Sequence, residues 1–261
     1  MNYEFSALTD AGRTRENNED SVQYVAASDL GVLADGMGGY NAGEVASGMA
    51  TAYIADNLGS WLAGAGEQVT VRDVASAMQT CVQHANQAIF NAANANEQYA
   101  GMGTTLVVGV FLRNWLVLGH IGDSRCYRWR GNVLTQLTRD HSLLQEQLDA
   151  GLITPLEAAL SPHKNLVTRA MGVDNFVDLE VHEHAVEPGD VFLMCSDGLN
   201  DMIDDSALAT LLSGGGSLEV LARRLVDSAN ACGGRDNISV LLANAHVLTK
   251  RNGLMSRLLG K

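Results

Sequence analysis

The chain has 261 residues, of which 46% are apolar, and a formal net charge of −13. That length suits one large domain or two small ones with a substantial core, and the acidic balance argues against nucleic acid as the main partner. The excess acid is confined to residues 1–236, because the stretch from Asn237 to Lys261 has no Asp or Glu and carries Lys250, Arg251, Arg257 and Lys261.

Residues 3–9 and 21–34 read as strands leading into Asp35. The Ala- and Met-rich stretch from Ala42 to Leu58 reads as a helix. So does the run Val71, Val74, Ala75, Met78, Val82, Ala85, Ile89 and Ala92, which follows a 3.6-residue period, with Thr70 as N-cap and Asp73 three residues on. Strands follow at 104–112, 115–121, 126–130 and 133–137, with turns at Arg113-Asn114 and Gly131-Asn132. Residues 115–121 are almost continuously apolar, as a strand buried on both faces should be. Residues 142–172 begin helical and then break at Pro155, Pro162, His163 and Asn165. Strands near 178–186 and 190–195, a helix near 217–231 and a strand at 238–244 complete the pattern, with Gly214-Gly215-Gly216 as a joint. Hairpin-linked strands with long helices between them predict an α+β fold of antiparallel sheets covered by helices, not a βαβ array. No internal repeat is visible. The reading is one domain over 1–246 with a basic tail at 247–261.

Cys81, Cys126, Cys195 and Cys232 show no Cys-x-x-Cys spacing and read as small core residues in a reducing compartment. The first residues, Met1-Asn2-Tyr3-Glu4-Phe5, lack the features of a signal peptide, and no apolar run reaches 18 residues. A cytoplasmic location is the expectation.

Chemistry concentrates at acids placed by strand ends. Asp35 follows an apolar run in Ala34-Asp35-Gly36-Met37-Gly38-Gly39, and Asp197 does so in Cys195-Ser196-Asp197-Gly198-Leu199. Asp20 precedes a strand, Asp123 follows one in Gly122-Asp123-Ser124-Arg125, and Asp236 precedes the last one. A carboxylate carried into low dielectric is costly unless a cation or several donors meet it. Oxygen-only donors favour hard ions, Mg²⁺ or Mn²⁺ over Zn²⁺. Taken singly, each Asp-Gly also reads as an ordinary turn, and an Asp can simply cap a helix. Gly36-Met37-Gly38-Gly39 lacks the Lys-Ser/Thr of a P-loop and does not fit G-x-G-x-x-G, so a phosphate-cradling loop is a weak reading.

The motifs gain meaning in their order. Arg15-x-x-Asn18-Glu19-Asp20, Asp35-Gly36-Met37-Gly38-Gly39, Gly103-Thr104-Thr105 and Gly122-Asp123-Ser124-Arg125 come first. Leu137-Thr138-x-Asp140-His141-Ser142, Arg169-Ala170-Met171-Gly172, Ser196-Asp197-Gly198-Leu199 and Asp236-Asn237-Ile238 follow. This series, from about Gly12 to Val240, resembles the metal-dependent serine/threonine protein phosphatases of the type-2C (PPM) family, and most of all their compact bacterial members. The resemblance implies a four-layer αββα sandwich with two central antiparallel sheets and a metal cluster at one end. It implies two Mn²⁺ or Mg²⁺ ions bridged by Asp35, with the Gly36 carbonyl, Asp197 and Asp236 as further ligands. Asp20 and Glu19 would act directly or through water, and Asp123 would help hold a third, weaker ion. Arg15 would grip the substrate phosphate with its planar fork. A water shared by two cations ionises near neutral pH, so phosphoserine or phosphothreonine would be hydrolysed in one step by a metal-bridging hydroxide. The family also implies that the protein opposes a bacterial Ser/Thr kinase and shares its substrates; a monomer is the expectation.

The pattern departs from eukaryotic members at Met37, where they carry His, and at Asn200, where they commonly carry Trp. Residues 142–172 correspond to a variable flap. Lys164, the only lysine before Lys250, is a candidate substrate contact or an ordinary solvated charge. His141 reads either as part of a network behind the metal ligands or as a structural hydrogen-bonding residue, His120 as buried and paired with backbone, and His182 and His184 as ordinary residues on one strand face. Leu254, Leu258 and Leu259 in the tail have helical spacing among basic residues, a pattern for a docking or membrane-surface segment or for a frayed terminus. Two other functions compete: a catalytically silent phosphoprotein-binding module, disfavoured by the retained Asp20, Asp35, Asp197 and Asp236, and a hydrolase of small phosphate esters.

Overall fold

The computed structural model describes residues 1–39, 42–161 and 166–247. In chain order the strands are β1 (Asn2–Asp10), β2 (Asp20–Val25), β3 (Leu30–Met37), β4 (Gly103–Thr104), β5 (Leu106–Leu112), β6 (Trp115–Ile121), β7 (Arg125–Arg130), β8 (Val133–Gln136), β9 (Glu180–Ala185), β10 (Val191–Cys195) and β11 (Ile238–His246). The α-helices are α1 (Ala42–Gly64), α2 (Val71–Ala95), α3 (Leu143–Asp149), α4 (Pro155–Leu160), α5 (Asp197–Asn200), α6 (Asp205–Ser213) and α7 (Leu218–Ala231).

Two sheets form the centre, and all their strand pairs are antiparallel. One runs β1-β11-β10-β7-β8. The other runs β2-β3-β5-β6-β9, with β4 also pairing β3. The continuous apolar runs are explained by burial on both faces. In β5, Leu106, Val108 and Val110 pack with the buried face of α1 and α2, whereas Val107 and Phe111 turn to the space between the sheets. Small residues Ala42, Ala46 and Ala50 bring α1 onto its sheet, and α2 buries Val74, Met78, Val82, Ala85 and Ile89 at helical spacing. A third core joins the outer face of the β10–β11 sheet to α6 and α7 through Leu208, Leu221, Leu225 and Val240. Four layers result, helix–sheet–sheet–helix, in agreement with the expected α+β sandwich.

Local signals explain many boundaries. Thr70 and Asp73 form a reciprocal capping box at the start of α2. Arg113, Gly131 and Asn132 adopt positive φ in the hairpin turns. Three expectations need correction. Residues 21–34 are not one strand: a 3₁₀ turn at Ala26–Ser28, closed by Asp29 at φ +48°, folds them into the β2–β3 hairpin. Cys232 is exposed, unlike the other three cysteines. Helix α6, capped by Asp204, falls where no element is expected from the pattern. Residues 248–261 and Lys164 lie outside the described residues, and with them the readings of Leu254, Leu258 and Leu259. Among the described residues no helix is long and apolar enough to cross a membrane.

Candidate active site

The site grows from one cross-strand pair. Asp20 opens β2 and stands directly opposite Asp35, which lies inside β3 two residues before its end. Like charges in that register repel. The surrounding backbone is tightly tied. Asp35 N–H donates to Thr105 Oγ1 (3.0 Å), and its carbonyl accepts from Thr105 N–H (2.8 Å) and Thr104 Oγ1 (2.9 Å). Gly36 N–H donates to the Glu19 carbonyl at 3.1 Å. A side chain at Gly36 would put its Cβ 2.1 Å from the Gly43 carbonyl oxygen, so glycine is needed for α1 to start this close to β3. Glu19 reaches the same corner, its carboxylate lying beside Gly43.

The other sheet supplies the rest. Asp197 opens α5 immediately after β10, and Asp236 precedes β11. A Cβ on Gly198 would meet the Asn237 carbonyl oxygen at 2.0 Å, so this glycine lets the two acidic loops close on each other. Asn237 ties three segments together: Glu19 N–H donates to its Oδ1 (2.8 Å), and its Nδ2 donates to the carbonyls of Ala11 (3.0 Å) and Asn17 (2.9 Å). Ser196 Oγ crosses between the sheets to donate to Asp20 Oδ2 at 2.7 Å. Arg15 Nη2 donates to Asp236 Oδ2 at 2.7 Å, with about half of the arginine side chain exposed. Arg15, Glu19, Asp35, Asp123, Asp197 and Asp236 line one cleft of about 220 Å³, and Val167 from the flap region forms part of its rim. Asp20 is not part of the lining; it lies buried behind Asp35.

The electrostatics are those of an under-compensated acid cluster. Burial, then repulsion by Asp20, Asp197, Asp123 and Asp236, pushes the Asp35 carboxyl well above the carboxylate range. Asp197 is raised in the same way, by burial and then by Asp123, Asp201, Asp236 and Asp20. Burial lifts Asp20 to about 6 against the opposing hydrogen bonds of Ser196, Ser239 and Asp35. Asp123 reaches about 6 through burial and then Asp140. Burial also raises Glu19. Asp20 Oδ1 is buried with no hydrogen-bond partner. An orphaned buried oxygen behind a cleft lined by converging carboxylates fits a hard divalent cation held there, which would neutralise the repulsion.

The comparisons with known proteins agree. A family model described as Protein phosphatase 2C matches residues 10–242. The chain belongs to the protein phosphatase 2C family. It is thus a metal-dependent serine/threonine phosphatase. The serine/threonine phosphatase stp of Listeria innocua is 35% identical over 253 residues, spanning 96% of this chain and 98% of that protein. The crystal structure of the Mycobacterium tuberculosis serine/threonine phosphatase PstP/Ppp superposes with a TM-score of 0.86 at 37% identity, covering 95% of this chain and all of that one. A catalytic domain of PstP solved in complex with two manganese ions gives 0.82 at 36% identity, covering 94% and 99%.

Arg15, Glu19, Asp20, Asp35, Gly36, Asp123, Asp197 and Asp236 of this phosphatase thus gather at one end of the sandwich. Two kinds of residue have no role in the sequence reading. Asp201 adds repulsion at both Asp123 and Asp197; its place four residues after Asp197, one helical turn on, is the signal that points to it. Ser196, Thr105, Ser124 and Asn237 hold the acids in place, Thr105 Oγ1 and Ser124 Oγ lying 2.7 Å apart. Each lies inside one of the motifs, but its partners in space are distant in sequence, so no local pattern shows what it holds. His120 is paired with backbone as expected, its Nε2 lying 2.8 Å from the Arg139 carbonyl oxygen.

Proposed function

We propose that this phosphatase hydrolyses phosphoserine and phosphothreonine in proteins, using two Mn²⁺ or Mg²⁺ ions held by Asp35, the Gly36 carbonyl, Asp197 and Asp236, with Asp20 and Glu19 as direct or water-mediated ligands. Asp123 takes part in holding a third, weaker ion. The observation that carries this reading is the buried Asp20–Asp35 pair with its unpartnered oxygen, facing Asp197 and Asp236 across the sheets. When bound, the ions supply the Lewis acidity that makes hydroxide available from shared water at neutral pH and offset charge on phosphate. The chain's own contributions can be stated separately. Asp20 and Ser196 fix the orientation of the inner wall. Thr104 and Thr105 hold the Asp35 backbone, and with it the position of Gly36 at the cleft. Arg15, anchored on Asp236 and half exposed, presents its remaining guanidinium N–H groups for a phosphate oxygen. Met37 carries no proton to give, so the leaving alkoxide takes its proton from a group other than residue 37.

Phosphorylated proteins are the substrates. A bacterial Ser/Thr kinase and its targets are the partners this family membership favours, and the enzyme acts as a cytoplasmic monomer. Turnover of a phosphothreonine peptide with Mn²⁺, with and without EDTA, tests the reading. Loss of turnover on chelation is expected, and turnover indifferent to EDTA rejects the metal reading. Faster turnover of sugar phosphates than of the peptide rejects the protein substrate.

A further inference from the structure

Behind the acid cluster, between the sheets at the β9 edge, lies a second polar group that the chemistry above leaves unused. His141 and His120 stack with ring centroids 4.6 Å apart and planes inclined by 16°. Glu180 Oε2 lies 3.0 Å from His141 Nε2, and its Oε1 lies 2.7 Å from His182 Nε2. Donor atoms of His120, His141 and Glu180 fall within 4.8 Å of one another, as a metal site would require. The stacking argues against one. Imidazole lone pairs lie in the ring plane, so two near-parallel rings aim past each other and cannot meet at one ion.

The hydrogen bonds point elsewhere. His141 holds both polar groups of a single peptide residue: its backbone N–H donates to the Gly122 carbonyl at 2.9 Å, and its Nδ1 accepts from Gly122 N–H at 3.1 Å. An acceptor at Nδ1 requires the ring proton at Nε2, where Glu180 receives it. Burial acts to raise Glu180, but hydrogen bonds from His182 and His141 outweigh it and bring it down to about 2, so that carboxylate accepts and does not donate. Gly122 is a demanding position. Its φ is +98°, and a Cβ there would lie 2.7 Å from Thr105 Cγ2. It is the residue immediately before Asp123. The next turn is pinned as well, since Asp140 receives a two-pronged bond from Arg125, at 2.9 Å from Nε and 2.6 Å from Nη2.

We propose that His141 is a positioning residue for the weaker metal site: Glu180 fixes its tautomer, and its Nδ1 holds the Gly122 N–H, fixing the backbone that leads into Asp123 so that the Asp123 carboxylate faces the cleft. The proposal rests on the metal role given to Asp123 above. Partners of this kind, acting behind a ligand, commonly change metal affinity by 10–100-fold when removed.

The test compares His141→Ala, His141→Asn and Asp123→Asn with wild type. Asn keeps an acceptor oxygen near the position of Nδ1 and removes the stacked ring. In EDTA-treated protein, mass-spectrometric hydrogen exchange of the segment spanning Gly122–Ser124 is expected to quicken about tenfold in His141→Ala and to stay near wild type in His141→Asn. Calorimetric Mn²⁺ titration is expected to show the weakest class of site loosened about tenfold in His141→Ala, the tightest unchanged, and His141→Asn restored. Exchange and Mn²⁺ affinity unchanged in His141→Ala overturn the proposal. So does His141→Asn failing as badly as His141→Ala, which would assign the role to the ring's packing. Asp123→Asn separates the two layers. If it leaves the weak Mn²⁺ class intact, the metal role of Asp123 fails and the positioning of a metal ligand fails with it, while the reading at Asp35 stands.

Discussion

Two buried aspartates in this chain face opposite circumstances. Asp190, 1% exposed at the start of β10, is served from all sides: Arg130 Nε and Nη2 donate to its two oxygens at 2.7 and 2.6 Å, and Glu187 N–H adds a third bond at 2.8 Å. Asp35, at the other carboxylate centre, faces Asp20, Asp123, Asp197 and Asp236, and its carboxyl is pushed upward by burial and by that company. The first arrangement closes on itself. The second stores repulsion that a cation relieves, and it sets Asp35, Asp123, Asp197 and Asp236 along an open cleft. The contrast teaches that burial of a charge marks function only when its compensation is missing from the chain.

Removing the central acid should have the largest effect. Asp35→Asn is expected to lower kcat/KM on a phosphothreonine peptide by at least ~10³-fold, the scale seen when preorganised charge stabilisation is lost. Its melting temperature in EDTA is expected to rise, because one repelling charge has gone; a lower melting temperature would show that the acids support the fold. The same change at the compensated centre should do the reverse. Asp190→Asn removes the buried one of the two carboxylates on Arg130, leaving only the exposed Glu187, and breaking a buried pair costs about 3–5 kcal/mol. Urea denaturation of the two variants side by side checks this, and equal stabilities would erase the distinction between the centres.

Much of this was legible before any coordinates. The order of the acidic motifs pointed to the family, and apolar runs placed eight of the eleven strands near their positions, β4 being too short to read and the β2–β3 hairpin appearing as one run. The limits have physical causes. Asp29 at φ +48° breaks an otherwise continuous strand pattern, and nothing local distinguishes it from a strand residue. The need for Gly36 comes from Gly43, whose carbonyl arrives through the start of α1, and the need for Gly198 comes from Asn237, thirty-nine residues on. Asn237 and Ser196 bridge segments more than 170 residues apart, contacts that exist only once the sheets are stacked. Positions of the acids were therefore readable as motifs, whereas the framework that aims them was not.

The comparison sharpens with pH. Asp20 and Asp123 titrate at about 6 in the folded protein, above the ordinary value of 3.8, so the folded state holds their protons more tightly than the unfolded chain does. Each then contributes stability that is present in full below about pH 4 and is lost as pH rises through about 6. EDTA-treated protein is expected to lose on the order of 1–3 kcal/mol of stability for each of these two groups between pH 4 and pH 7. Saturating Mn²⁺ at pH 7 should restore it by binding the folded state. Asp20→Asn should flatten the EDTA profile. A profile that rises over this window in EDTA would mean that the carboxylates are compensated after all.

The smallest stability effect belongs to Arg15, and it separates anchoring from binding. Its bond to Asp236 is short, but half of the side chain is in solvent, and exposed ion pairs contribute about 0–1 kcal/mol. Arg15→Ala should therefore move the urea midpoint very little. If the guanidinium meets phosphate, as the cleft geometry favours, the same variant should raise KM for a phosphothreonine peptide by about tenfold, one hydrogen bond to a charged group being worth roughly 1.5–3 kcal/mol. Lys at the position keeps the charge and loses the fork, so Arg15→Lys should recover only part of that KM. An unchanged KM with a lowered midpoint would make Arg15 a strut for Asp236, and the acid cluster would then have to bind phosphate through its metals alone.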